Sequence, residues 1–218
     1  MGLLFFLEKK IKKIQFQRLE KKNVAFLRSN HLVDKPANKF ECSEFNGYQL
    51  TDVSLCKALL KSGAIASDDS ILDVGCGCGV FMFFLLKNGY RNVDGVEIKE
   101  DLFKIAESNL TKLPEKVTFS SRVYLLNVID AENKFFNKYN VFYLFNPFND
   151  EVVWDSFFSK IHDSLLASPR KIKVIFLYMN AICKKSVSKV EWLKRGKSIV
   201  DKDHYCSSCI KFTVYENV

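Results

Sequence analysis

The chain comprises 218 residues, 48% of them hydrophobic with 20 Phe, and carries a formal net charge of +8. That composition excludes a disordered chain and suits one domain with a substantial core, with room for a small appendage. No apolar run approaches the ~20 residues that cross a bilayer, so no transmembrane segment is expected.

Residues 1–28 are expected to form a basic amphipathic helix. Leu7, Ile11, Ile14 and Leu19 recur at helical spacing, with Lys9, Lys10, Lys12, Lys13 and Arg18 between them. Such a helix can lie on a membrane surface, pair with another chain or pack on its own domain. Packing on its own body or on a second copy, as a homodimer, is the expectation. The run Leu3 to Leu7 is too short for a signal-peptide core, and Phe6 stands where a myristoylation signal wants Ser or Thr. A cytoplasmic protein is therefore expected. Charge is uneven: residues 1–40 hold ten basic and three acidic residues, and 170–218 hold eleven and four. Residues 41–169 reverse this, with twelve and eighteen. Solvated lysines account for the basic ends more simply than a nucleic-acid or anionic-surface footprint. Residues 30–46, with Pro36, read as a loop. The expected division is an N-terminal helix and loop, 1–47, ahead of a main domain, 48–218.

Residues 51–62 read as a helix leading to a strand at 70–74. There Ile71-Leu72-Asp73-Val74 runs into Gly75-Cys76-Gly77-Cys78-Gly79, and an apolar helix follows over 78–88. A strand, a tight glycine turn and a helix N-terminus form a nucleotide-sized corner, because glycine lets backbone approach a ligand closely. The dinucleotide fingerprint G-x-G-x-x-G fails here, since its third glycine would fall on Val80. An acid two residues before the turn, Asp73, suits a ligand with a cationic end better than a pyrophosphate. The next strand, 92–97, ends in Glu97, placed to accept ribose hydroxyls.

Further strands are expected at 121–126, 140–145 and 172–178, with helices at 99–110, 150–166 and near 184–194. Residues 198–200 and 210–215 read as two closing strands. Alternating strands and helices predict an α/β fold: a Rossmann-like parallel sheet with helices on both faces and a C-terminal antiparallel hairpin. His204, Cys206 and Cys209 include one CxxC, but a structural zinc site usually takes two such pairs. Reduced thiols in a hairpin, with no metal, are expected instead. His31 and His162 read as solvated or packed rather than catalytic.

Taken together, Asp73, the alternate glycines and Glu97 resemble the class I S-adenosylmethionine-dependent methyltransferases over roughly residues 48–218. The resemblance implies that residues 73–79, with Gly75, Cys76, Gly77 and Gly79, hold the methionine part of the cofactor. It implies that Glu97 holds the ribose and that Asp130 lies beside the adenine. Tyr48 and Thr51 resemble residues that lid the cofactor. After the fourth strand, Asn146-Pro147-Phe148 resembles the N-P-P-Y type motif of enzymes that methylate planar amines and amides, without the second proline. The resemblance gives these three residues the acceptor-positioning role, with the Asn oxygen orienting the target nitrogen and the aromatic ring stacking on its plane.

The expected function is methyl transfer from S-adenosylmethionine to a small molecule, sugar or protein side chain. N-methylation of a nucleic-acid base is a narrower alternative. A non-catalytic partner retaining the fold and a nicotinamide-dependent oxidoreductase are the readings from other classes.

Overall fold

A computed structural model describes residues 2–34, 48–118, 120–200 and 211–218. Helix α1 (Gly2–Ser29) comes first, and α2 (Val53–Lys61) follows the 48–52 segment. The repeating unit then begins: β1 (Ser70–Val74), α3 (Val80–Lys87), β2 (Asn92–Glu97), α4 (Glu100–Leu110), α5 (Glu115–Thr118) and β3 (Val123–Leu125). A 3-10 turn (Val128–Asp130) and α6 (Asn133–Phe136) lead to β4 (Val141–Leu144), α7 (Glu151–Ala167), β5 (Lys173–Leu177) and α8 (Ala181–Val187). Two antiparallel strands, β6 (Leu193–Val200) and β7 (Lys211–Asn217), close the chain.

The seven strands form one sheet in the order β3-β2-β1-β4-β5-β7-β6. Pairing is parallel from β3 to β5 and antiparallel from β5 through β7 to β6. The order reverses direction between β1 and β4, so their carboxyl ends flank a crevice.

Side-chain alternation along the strands sorts the core into two layers. Ile71, Val93, Tyr143, Ile175 and Leu177 face one layer, completed by α2 and α3. Leu72, Val74, Phe142, Leu144, Val174 and Phe176 face the other, completed by Trp154, Phe157 and Ile161 of α7. Parallel strands covered on both faces favour continuous apolar character, which β4 and β5 show. The fold class is as expected.

Local differences have local causes. The last helix lies at Ala181–Val187 rather than near 184–194, because Asn180 caps it, its side chain accepting from Cys183 N at 2.7 Å. Strand β6 starts at Leu193, five residues before the expected start, as an edge strand with exposed Lys194, Arg195 and Lys197. Charges on an edge discourage pairing with other chains, and they hide the alternation that marks a strand. His162 is packed, its ring stacked on Trp192 at 5.3 Å. His31 is exposed. The CxxC segment with His204, Cys206 and Cys209 lies outside the described residues, as does most of the 30–46 loop. Among the described residues, no cluster of His, Cys, Asp and Glu could hold a metal, and no helix is long and apolar enough to cross a membrane.

Candidate active site

A cleft lies over the carboxyl ends of β1, β2 and β4. Asp73 and Glu97 stand at its polar side, and both are buried, at 3% and 6% exposure. Burial raises the Asp73 carboxyl well above its ordinary range, and the nearby Glu97 charge raises it further. Burial also raises Glu97, while the amides of Lys99, Gly77 and Ile98 hold it partly down. Two such carboxylates facing one cleft favour a cationic ligand, whose charge offsets their repulsion.

The glycine turn shows how its amides are used. Gly75 N and Cys76 N both donate to Val96 O, at 2.9 and 3.0 Å. Gly77 N donates to Glu97 Oε2 at 2.9 Å, and Gly79 N to Cys76 O at 2.9 Å. A pyrophosphate-binding loop keeps such amides pointed at the ligand. Here four of them hold the turn to β2 and to itself. The other Glu97 oxygen accepts from Ile98 N and Lys99 N, both at 2.9 Å. A carboxylate has about four acceptor positions, so capacity for a ligand hydroxyl remains.

Each glycine of the turn has positive φ. Gly75 and Cys76 line the cleft, whereas Gly77 and Gly79 shape it from behind. A Cβ on Gly77 would stand 2.1 Å from the Tyr48 ring, and one on Gly79 would stand 3.0 Å from Ala106 Cβ of α4. Glycine at 77 thus lets Tyr48 lie against the turn. Tyr48 lines the cleft, and its hydroxyl donates to Asp34 Oδ1 at 2.6 Å. Thr51 also lines it, with Oγ1 3.0 Å from the Tyr143 hydroxyl. Tyr143 pairs in register with Asp73 and stacks on Phe81 at 3.9 Å. The sequence reading missed this aromatic floor, although period-two alternation in paired parallel strands puts Tyr143 on the Asp73 face.

The structure places the remaining expected positions as follows. Asp130 does not line the cleft: Leu126 and Val128 do. The 3-10 turn points Val128 inward, buried, and leaves Asp130 exposed on a neighbouring surface groove. Phe148 borders the cleft, but its ring is 1% exposed, edge-on to Trp154 at 4.8 Å and to Phe157 at 5.5 Å. It is held in the core and cannot stack on an acceptor as it stands. The rings near the mouth are Phe145, which lines the cleft, and Tyr178, 5.4 Å from it. Asn146 lines the cleft, but its Oδ1 already accepts from Asn180 N at 3.3 Å. Pro147 packs against the glycine turn, its Cβ 3.2 Å from where a Gly75 Cβ would be.

Asn146 and Tyr178 both have positive φ, 44° and 55°. They stand level, two residues past the paired Leu144 and Phe176. Left-handed residues other than glycine are uncommon and cluster at functional sites. The β4–β5 side of the crevice is therefore built on backbone strain, with Asp150 and Asn180 capping the helices that leave it.

Residues 71–166 match the family model described as a methyltransferase domain. The chain is 30% identical over 87 residues to a ribosomal protein L11 methyltransferase of Ruminiclostridium cellulolyticum, covering 40% of this chain and 26% of that one. It is 40% identical over 48 residues to mouse EEF1A lysine methyltransferase 2, covering 22% and 20%. The chain thus spans about a quarter or less of these curated relatives. A solved RNA methyltransferase from Salinibacter ruber, in complex with S-adenosyl-L-homocysteine, superposes with a TM-score of 0.52 at 17% identity, over 77% of this chain and 92% of that one. Residues 71–166 are thus similar to a methyltransferase domain, and the chain shares the fold of that solved methyltransferase.

Proposed function

We propose that this chain is an S-adenosylmethionine-dependent methyltransferase whose acceptor is a small molecule, a sugar or a protein side chain, with residues 48–218 as the catalytic unit. The observation that carries the reading is the pair of buried carboxylates, Asp73 and Glu97, on either side of a turn whose amides are used internally. A site so built repels a pyrophosphate and suits a nucleoside with cationic groups, which disfavours a nicotinamide-dependent oxidoreductase.

The residues present fit that cofactor. Asp73 and the Gly75–Cys76 backbone would hold the charged methionine end, and Glu97 would accept ribose hydroxyls. Leu126, Val128, Ile98 and Leu102 would give the base an apolar slot, and Tyr48, Leu50 and Thr51 would cover it. When bound, the cofactor supplies a methyl group already activated by its sulfonium. The work left to the protein is alignment of the acceptor for in-line displacement and exclusion of water. Phe145, Asn146 and Pro147 border the place where an acceptor would meet that methyl group. An acceptor that must lose its proton also needs a base. Burial raises the nearby Tyr143 and Cys76 groups, so both are neutral in the resting site.

One feature disfavours methylation of a nucleic-acid base by the N-P-P-Y route: the Phe148 ring is held in the core. The direct test is calorimetry with S-adenosylmethionine and its demethylated product, which should both bind. Incubation with labelled methyl donor and a cell extract should then label the acceptor. Absence of cofactor binding would refute the whole reading, and binding without labelling would favour a non-catalytic partner.

A further inference from the structure

Helix α1 ends on a motif that turns the chain toward the cleft. His31 has φ of 54°. Its N–H donates to Arg28 O at 3.1 Å, and Leu32 N donates to Leu27 O at 2.9 Å. This pair of bonds is a Schellman stop, with His31 in the left-handed position that glycine more often fills. The residues around it are fixed to the body. Lys87 of α3 donates to the Asn30 side chain, and Leu32 is buried in the core layer beside α2 and α3.

Val33 is exposed, yet one side chain takes both of its backbone groups. Asn109 of α4, fully buried, accepts from Val33 N at 2.9 Å and donates to Val33 O at 2.8 Å. Its second amide hydrogen goes to Cys78 O of the glycine turn, at 2.8 Å. Lys112 Nζ donates to the remaining lone pair at 3.1 Å. The whole hydrogen-bonding capacity of the amide is thus used to pin residue 33 against the turn.

That pinning sets the place of the next residue. Asp34 accepts from the Tyr48 hydroxyl at 2.6 Å. Burial raises the Tyr48 phenol, and the neighbouring Cys78 and Asp34 raise it further, so it stays protonated and donates. The ring lies where a Gly77 Cβ would stand, and it lines the cleft. Neither Asp34 nor Asn109 lines the cleft itself. We infer that Asp34 and Asn109 are positioning residues of the cofactor site, acting through Tyr48 to hold its ring over the glycine turn. This inference rests on the proposed function and extends the site into the segment that follows α1, ahead of residue 48. A ring held by contact alone would spend part of its time off the turn, and affinity falls with the fraction in place.

Calorimetry of the full chain with S-adenosylhomocysteine tests this. Tyr48→Phe keeps the ring and removes its bond to Asp34, and Asp34→Ala removes the same bond from the other end. Each should weaken binding about threefold to tenfold. Together they should weaken it no more than either alone. Asn109→Asp keeps the size of the side chain and loses both donors. It should weaken binding by a similar factor, again without adding to Tyr48→Phe. A merely structural role would lower the melting temperature and leave the affinity of the folded protein unchanged, so melting is read beside each titration. If Asn109→Asp does not fold, the Asp34 and Tyr48 cycle decides alone. Wild-type affinity in both Tyr48→Phe and Asp34→Ala, or effects of the two that multiply independently, would overturn the inference and leave the proposed function standing. Absence of binding by the wild-type chain would overturn both.

Discussion

The two sides of the crevice are built differently. On the β1–β2 side, the turn is fixed by backbone bonds to Val96 and by the Glu97 carboxylate, and its glycines occupy conformations natural to them. On the β4–β5 side, Asn146 and Tyr178 hold positive φ without being glycine, and Phe148 anchors the loop in the core. One side depends on charge and close approach, the other on packing and strain. On the proposed function, cofactor recognition would belong to the relaxed side and acceptor selection to the strained one.

Phe148→Ala tests the division most severely. Removing a core ring should cost about 3–5 kcal/mol of stability, read by denaturant unfolding. Cofactor affinity of the remaining folded protein should stay near wild type. A large loss of affinity with little loss of stability would make Phe148 a site residue after all.

Asp73→Asn should show the opposite pattern. Loss of one buried charge partner should weaken S-adenosylmethionine binding by about 2–5 kcal/mol, measured by calorimetry. Asp73 has a raised pKa in the folded state, so its stabilising protonation is present at acid pH and lost as pH rises through that value. Replacing the ionisable group removes that dependence, so thermal stability of Asp73→Asn should vary less with pH than that of wild type. By the same sign, wild-type affinity for the cationic cofactor should fall as pH drops through the raised value, above the ordinary carboxylate range.

Gly77→Ala probes close approach. The new Cβ would meet the Tyr48 ring, and φ of 56° is unfavourable to it, at about 1–2 kcal/mol for the backbone alone. Pairing it with Tyr48→Ala should recover the clash but not the backbone cost, so a double-mutant cycle on thermal stability separates the two. The smallest effect is expected at Tyr178. The usual order, in which Ala outperforms Gly, should reverse there, with Tyr178→Gly about 1 kcal/mol more stable than Tyr178→Ala. Equal stabilities would remove strain from the account of the β4–β5 side.

What the sequence by itself determined was whatever follows from short-range rules. Strands β1 and β2 were legible to the residue because each sets apolar residues between recognisable ends, Ser70 and the glycine turn for β1, Asn92 and Glu97 for β2. The turn was legible because alternate glycines beside Asp73 have few other uses. Only the tertiary structure decided which side chains meet across elements. Asp130 faces outward because a 3-10 turn sets its phase, and Phe148 turns into the core because α7 brings Trp154 and Phe157 to it. Tyr143 joins the site through its register with Asp73, and Tyr178 stands level with Asn146 through the β4–β5 pairing. Local chemistry writes itself into adjacent residues; contact between distant ones depends on register, twist and helix phase, which no short stretch of chain records.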